Sequence, residues 1–170
     1  MKYFLSTISL LCLFAFSAIA QEENPEPKVG DKSPELRLMR EDSSLISLQD
    51  IDADYVLLLF WHYKCSHCQK ALTKIDKFLE EEKPEGLKIL SIYPFAEEVE
   101  KFWDYVKDPE NLLTDPVFIH CTDYRATTRR AFSPKSGQPP LIILIDKEGK
   151  ILGMNLKAAQ LKDIWKELKK

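Results

Sequence analysis

The chain has 170 residues and a formal net charge of −3; 45% of it is hydrophobic and 30% charged, and its five Gly and ten Pro form no repeat. That much apolar content excludes a disordered, collagen-like or low-complexity chain. The missing basic excess excludes nucleic acid as the expected partner.

Residues 1–20, MKYFLSTISLLCLFAFSAIA, place Lys2 before an apolar run that ends in Ala18-Ile19-Ala20. Small residues at the third and first positions before Gln21 predict a cleaved signal peptide. The alternative is a retained membrane anchor over Phe4–Ala20. That span is near the lower limit of membrane-crossing length and is weakened by Ser6, Thr7, Ser9 and Ser17. Leu11, where a small residue is needed, argues against lipid attachment at Cys12. The leader holds Lys2 and no acid, so its removal takes the charge from −3 to −4. The mature chain is then expected in the periplasm or a secreted space, where disulfides persist. Residues 21–33, QEENPEPKVGDKS, are polar with Pro25 and Pro27 and read as a tether. One domain follows, over residues 34–170.

Tyr55–Phe60 is a continuous apolar run of strand length, as in a central strand covered on both faces. Cys68, Leu72, Ile75 and Leu79 repeat at helical spacing from Ser66 to about Glu81, and Pro84 and Gly86 end the helix. Leu87–Tyr93 is a second strand. Val99, Phe102, Trp103 and Val106 give the next helix an apolar face. Pro116–His120 reads as a strand, followed by His120-Cys121 and a short arginine-bearing helix over 124–132. Leu141–Ile145 is another buried strand, turning at residues 146–149 into a partner at Lys150–Met154. Leu161, Ile164, Trp165 and Leu168 mark one face of a last helix. Alternating strands and helices predict an α/β domain with a mixed, mostly parallel sheet covered on both faces.

The chemistry concentrates in Phe60-Trp61-His62-Tyr63-Lys64-Cys65-Ser66-His67-Cys68-Gln69. A Cys-x-x-Cys pair sits where a buried strand gives way to a helix, and the three-residue spacing puts both sulfurs on one face. Unpaired N–H groups and the dipole at the helix start favour an anion there, which makes Cys65 the nucleophile. Cys68, further down the helix, is placed to attack a Cys65–substrate disulfide from behind. A zinc site or a structural disulfide is the alternative. With Cys121 the one other mature cysteine, a cysteine-rich zinc site lacks ligands, and no metal is expected.

Trp61-x-x-x-Cys65-x-x-Cys68 after an apolar strand resembles the thioredoxin-fold signature. Val29-Gly30-Asp31-Lys32-Ser33-Pro34 is similar to the opening segment of the TlpA- and ResA-type envelope thiol–disulfide oxidoreductases. Pro140 to Ile151 looks like the proline–strand–Ile-Asp-x-x-Gly hairpin of that branch, and the extra helix and strand between residues 96 and 120 match its insert. The resemblance implies a thioredoxin-like fold over about residues 29–168 and a cis-proline at Pro140, opposite the cysteines. Pro139 and Pro140 would then block metal ligation and dock an extended peptide; alternatively they merely begin a strand.

Three positions depart from thioredoxin itself. Pro139 has no N–H to donate to a substrate backbone. Leu59 stands where thioredoxin has a buried carboxylate, and Lys64 where it has a tryptophan, adding a cation beside the nucleophile. Ser66 and His67 lie between the cysteines, where His67 can support a thiolate. Trp61 either shapes the site or caps the core. Cys121 reads as a buried free thiol, with a resolving thiol, an intermolecular disulfide or a soft-metal ligand as alternatives. His62 and the Asp123-Tyr124-Arg125 and Arg129-Arg130 clusters are assigned no role.

These features predict an envelope thiol–disulfide oxidoreductase, a monomer working as a reductant of protein disulfides. No flavin, nicotinamide or haem motif is present, so no cofactor is expected and electrons must come from a protein; the resemblance implies a membrane thiol transporter. A copper-handling protein using Cys65, Cys68 and a histidine is the alternative. A peroxidase would need a lone peroxidatic cysteine with an upstream Thr or Ser motif, which is absent.

Overall fold

The computed structural model describes residues 26–123, 125–132 and 139–170. The leader, its Cys12 and alternative anchor, the start of the expected tether, and Tyr124 lie outside the described residues. No helix among those described is long and apolar enough to cross a membrane.

Elements follow in the order β1 (Leu38–Met39), β2 (Leu45–Ile46), β3 (Tyr55–Phe60), α1 (Ser66–Glu82), β4 (Leu87–Tyr93), α2 (Val99–Lys107), β5 (Phe118–Thr122), α3 (Thr127–Phe132), β6 (Leu141–Asp146), β7 (Ile151–Gly153) and α4 (Leu161–Leu168). The strands form one sheet in the order β2-β1-β5-β4-β3-β6-β7. It is mixed, as expected, but parallel pairing is confined to β3 with β4 and β4 with β5. The flanking pairs are antiparallel, including β6 on β3 and the β6–β7 hairpin. The parallel share is therefore smaller than the alternation of strands and helices suggests. Antiparallel neighbours need only a turn, and the short links to β2 and β7 allow nothing longer.

β3 explains why its run is apolar throughout. Val56, Leu58 and Phe60 join the core on one face, with Leu36, Ile46 and Ile51 of the N-terminal segment and Phe132 of α3. Leu57, Leu59 and Trp61 face the opposite core, built by Cys68, Leu72 and Ile75 of α1, Phe102 of α2 and Trp165 of α4. Each such side chain, fully buried, contributes about 1.5–3 kcal/mol relative to an exposed one. Helix α1 ends at Lys83, which takes a left-handed conformation and returns its N–H to Leu79 O. The next turn needs Gly86: its φ is +74°, and a Cβ there would stand 2.6 Å from Asp54 Oδ2. Its carbonyl accepts from the N–H groups of Asp54 and Tyr55, which sets β4 beside β3.

Three boundaries differ from the sequence reading. The strand expected at 116–120 runs over Phe118–Thr122, because Asp115 holds the N–H of Val117 through its side chain and that of Phe118 through its carbonyl in a turn. Cys121 thus lies within a strand rather than after one. The helix expected at 124–132 begins at Thr127, where Asp123, only 1% exposed, accepts from the N–H groups of Thr128 and Arg129. Asp123, assigned no role from the sequence, is a buried helix cap. The C-terminal end of the expected tether is pinned to the sheet: Gly30 N–H reaches Ile151 O, Ile151 N–H reaches Asp31 O, and Ser33 N–H reaches Gly149 O.

Candidate active site

Trp61 extends the pairing of β3 by donating its N–H to Ile92 O at 3.1 Å, and the chain then leaves the sheet. Trp61 is completely buried: its indole N–H donates to Ser91 Oγ at 2.9 Å, and its ring meets Phe102 and Tyr105 edge-on. It is a core anchor beneath the loop, with no exposed ring to offer a substrate. A tight turn follows, in which Cys65 N–H donates to His62 O and Lys64 N–H to His62 Nδ1, each at 3.0 Å. His62 packs among the rings of Tyr63, Tyr93 and Phe95, and this burial, with the Lys64 cation, pushes its pKa down.

Cys65 is the residue that caps α1. Its Sγ accepts from the N–H of Cys68 at 3.2 Å, which directs an otherwise unpartnered donor of the first turn at the sulfur. The same thiol lies 3.7 Å from the carbonyl oxygen of Pro139, to which it donates. Cys65 is partly exposed, whereas Cys68 is 1% exposed and buried in the core beside Ala71 and Leu72. Burial, reinforced by the hydrogen bond with Cys65, pushes the Cys68 thiol up to about 12. Leu59 belongs to that same apolar cluster, so the strand supplies no carboxylate from its position. The Pro139–Pro140 bond is cis, and Pro139 is buried against the site.

Ser66 and His67 are exposed on the outer side of the first turn, and among the described residues neither side chain has a hydrogen-bond or ion-pair partner. Lys64 has one. Its ammonium binds Glu98 at 2.7 Å while lying over the Tyr63 ring, and Glu98 also receives the Tyr63 hydroxyl at 2.8 Å and Lys101 Nζ at 2.7 Å. The cation expected to act on Cys65 is therefore shared with a carboxylate. Lys101, Lys64 and Tyr63 together hold the Glu98 carboxyl down at about 2. Tyr63 is gripped at its other end as well: Gln69 Nε2 donates to its carbonyl at 2.8 Å, and Tyr105 OH donates to Gln69 Oε1 at 3.2 Å. The sequence alone assigns no role to Tyr63 and Gln69, which flank the cysteine pair, or to Glu98, Tyr105 and Ser91. Tyr63 and Glu98 are 35 residues apart, and the adjacency of β3 and β4 is what joins them.

Cys121 is fully buried in the core on the opposite face of the sheet from Cys68. Its thiol donates to Ser91 O at 3.8 Å, and burial raises its pKa far above the usual thiol range. The sheet stands between it and the pair, so it neither resolves a Cys65 disulfide nor joins the two sulfurs around a metal. No cluster of three or more His, Cys, Asp or Glu able to hold a metal occurs among the described residues.

Residues 29–154 match the AhpC/TSA family, and the chain belongs to it. Over 84 residues the chain is 27% identical to the thiol-disulfide oxidoreductase ResA of Oceanobacillus iheyensis; the match covers 47% of this chain and 44% of that relative, less than half of either. Among solved structures, a domain of a possible thiol-disulfide isomerase from Cytophaga hutchinsonii superposes with a TM-score of 0.68 at 19% identity, covering 86% of this chain and 96% of that one. The thioredoxin domain of a thiol-disulfide oxidoreductase from Bacteroides vulgatus gives 0.65 at 24% identity, covering 84% and 98%. The fold is thioredoxin-like.

Proposed function

We propose that this member of the AhpC/TSA family is an envelope thiol–disulfide oxidoreductase that reduces protein disulfides through the Cys65/Cys68 couple. The observation that carries the reading is the asymmetry of the pair. One sulfur is accessible at a helix start and accepts an N–H; the other is sealed in the core with a strongly raised pKa. Such a pair divides the labour of exchange. The Cys65 thiolate attacks one sulfur of a substrate disulfide, forming a Cys65–substrate bond and expelling the other substrate sulfur as a thiolate. Cys68 then loses its proton to water and attacks Cys65 Sγ. The substrate leaves fully reduced, and the two electrons it gained are matched by the new Cys65–Cys68 disulfide. A second dithiol protein, by the family resemblance a membrane thiol transporter, restores the reduced pair. Pro139 and Pro140 would line the substrate backbone beside Cys65, consistent with the Pro139 carbonyl at 3.7 Å. A monomer suffices, since both sulfurs come from one helix.

The roles are tested by trapping. Cys65→Ser should abolish disulfide reduction and leave no covalent complex, while Cys68→Ser should accumulate mixed disulfides on Cys65. Equal trapping by both variants would remove the assignment. The envelope location is tested by the mass of the protein recovered from its native host, which should lack residues 1–20.

A further inference from the structure

Glu98 stands where its own helix does not explain it. It is the capping residue of α2, yet its side chain makes no hydrogen bond to the unpaired N–H groups of that helix. Ser, Thr, Asp, Asn or Gly would serve a helix start better. Its backbone is also left-handed, with φ +57° and ψ +29°, a conformation that Gly or Asn takes with less strain. Such strain persists where the surroundings hold it in place. Here the holding contacts lead to the loop before Cys65. Glu98 Oε2 accepts from the Tyr63 hydroxyl at 2.8 Å and Lys64 Nζ at 2.7 Å; Oε1 accepts from Lys64 Nζ at 2.8 Å and Lys101 Nζ at 2.7 Å. Tyr63 and Lys64 are the two residues that lead into the nucleophile. The same loop is tied to α2 a second time, because the Tyr63 carbonyl accepts from Gln69, which in turn accepts from Tyr105. A lone exposed ion pair contributes little. One carboxylate bonded to two consecutive loop residues fixes a conformation.

We propose that Glu98 is a positioning residue for Cys65: by holding Tyr63 and Lys64 it keeps the loop in the turn that sets Cys65 Sγ on the Cys68 N–H. The inference rests on the exchange reading above. In that turn Cys65 N–H is fixed on His62 O and Lys64 N–H on His62 Nδ1, and the sulfur accepts from Cys68 N–H at 3.2 Å. Without the carboxylate, Tyr63 and Lys64 lose their common anchor, the turn samples other conformations, and the sulfur meets its donor for less of the time. A helix-start N–H favours the anionic form of a cysteine that it reaches, so both the attack and the stability of the reduced pair should weaken. Glu98 acts through the loop: its side-chain partners are Tyr63, Lys64 and Lys101, not the sulfur.

The test uses the full chain and two readouts at neutral pH. One is the rate at which iodoacetamide alkylates Cys65 in the reduced protein, followed by the mass of its peptide. The other is the balance of the Cys65/Cys68 pair against glutathione buffers. Glu98→Gly suits the left-handed backbone and removes the carboxylate; it should slow alkylation about tenfold, the size of a lost helix cap. It should also require an about fivefold more reducing glutathione ratio to hold the pair half reduced. Glu98→Gln keeps an oxygen for the Tyr63 hydroxyl and should stay within about threefold of the parent on the alkylation readout. Tyr63→Phe deletes one arm of the grip and should slow alkylation about threefold, with no further loss when added to Glu98→Gly, since both cut one path. Tyr63→Phe carries the test alone should Glu98→Gly fail to fold. Unchanged alkylation and glutathione balance, with only the urea midpoint lowered, would overturn the inference, leave exchange intact and make Glu98 a contact of the fold. Fully multiplying effects of the two substitutions would overturn it too. So would faster reaction of Glu98→Gly with anionic iodoacetate at an unchanged iodoacetamide rate, which would assign Glu98 to screening the Lys64 charge. Failure of the parent pair to equilibrate with glutathione, while iodoacetamide still alkylates Cys65, would instead defeat the exchange reading.

Discussion

Cys68 and Cys121 are both buried thiols with strongly raised pKa values, one on each face of the same sheet. What separates them is their neighbours. Cys68 sits in the first turn of a helix capped by Cys65, and its own N–H points at that sulfur. Cys121 lies near the end of β5, where its partner is a backbone carbonyl of the adjacent strand. Burial alone makes a thiol inert. Burial beside a second, accessible sulfur suits it to the resolving role in the exchange proposed above, because the disulfide to be attacked would form within its reach.

The largest expected effect comes from exchanging the two positions in a mutational test. Cys68→Ser should stop multiple turnover entirely and hold the protein as a mixed disulfide. Cys121→Ala should leave turnover within about twofold and cost about 1 kcal/mol of stability, read by urea unfolding. Loss of turnover in Cys121→Ala would break the comparison.

Next in size is a pH effect confined to Cys68. With its thiol pushed up to about 12, chiefly by burial, the reactive thiolate is a small fraction at neutral pH. That fraction rises about tenfold per pH unit below the pKa, so release of substrate from the Cys65 mixed disulfide should accelerate about a hundredfold between pH 7 and 9. A flat profile in stopped-flow release would show that a neighbouring base carries the proton.

Ser91 touches both faces, its hydroxyl accepting from Trp61 and its carbonyl from Cys121. Ser91→Ala removes the first contact alone and strands a buried indole N–H, at about 1–3 kcal/mol. The urea midpoint should fall while the exposure of Cys121 to thiol reagents in the folded state stays unchanged. Labelling of Cys121 would mean that the two faces open together.

The smallest effect belongs to His67. Its ring is exposed and, among the described residues, has no hydrogen-bond or ion-pair partner, so His67→Ala should change the alkylation rate of Cys65 by less than about threefold. A tenfold drop would show that an exposed imidazole acts on the sulfur across solvent.

The apolar run of β3, the helical repeat after Ser66, the run before Asp146 and the Cys-x-x-Cys spacing were all legible in the chain, because each is a local pattern. Periodicity and turn residues act within one element, and a helix start next to a cysteine is a property of consecutive residues. Those patterns were enough to place a cysteine pair at a helix start and to indicate an α/β fold. β1 and β2 were not legible, since two-residue strands are too short to show a period. Nor were the grip of Glu98 on Tyr63 and Lys64, the seat of Trp61 on Ser91, or the face on which Cys121 lies. Each of these depends on which strand lies beside which and in what register. A one-residue shift in β5 would carry Cys121 to the other face of the sheet, toward Cys68. Register is settled by the packing of the whole sheet against both layers, and that information is held in no single segment.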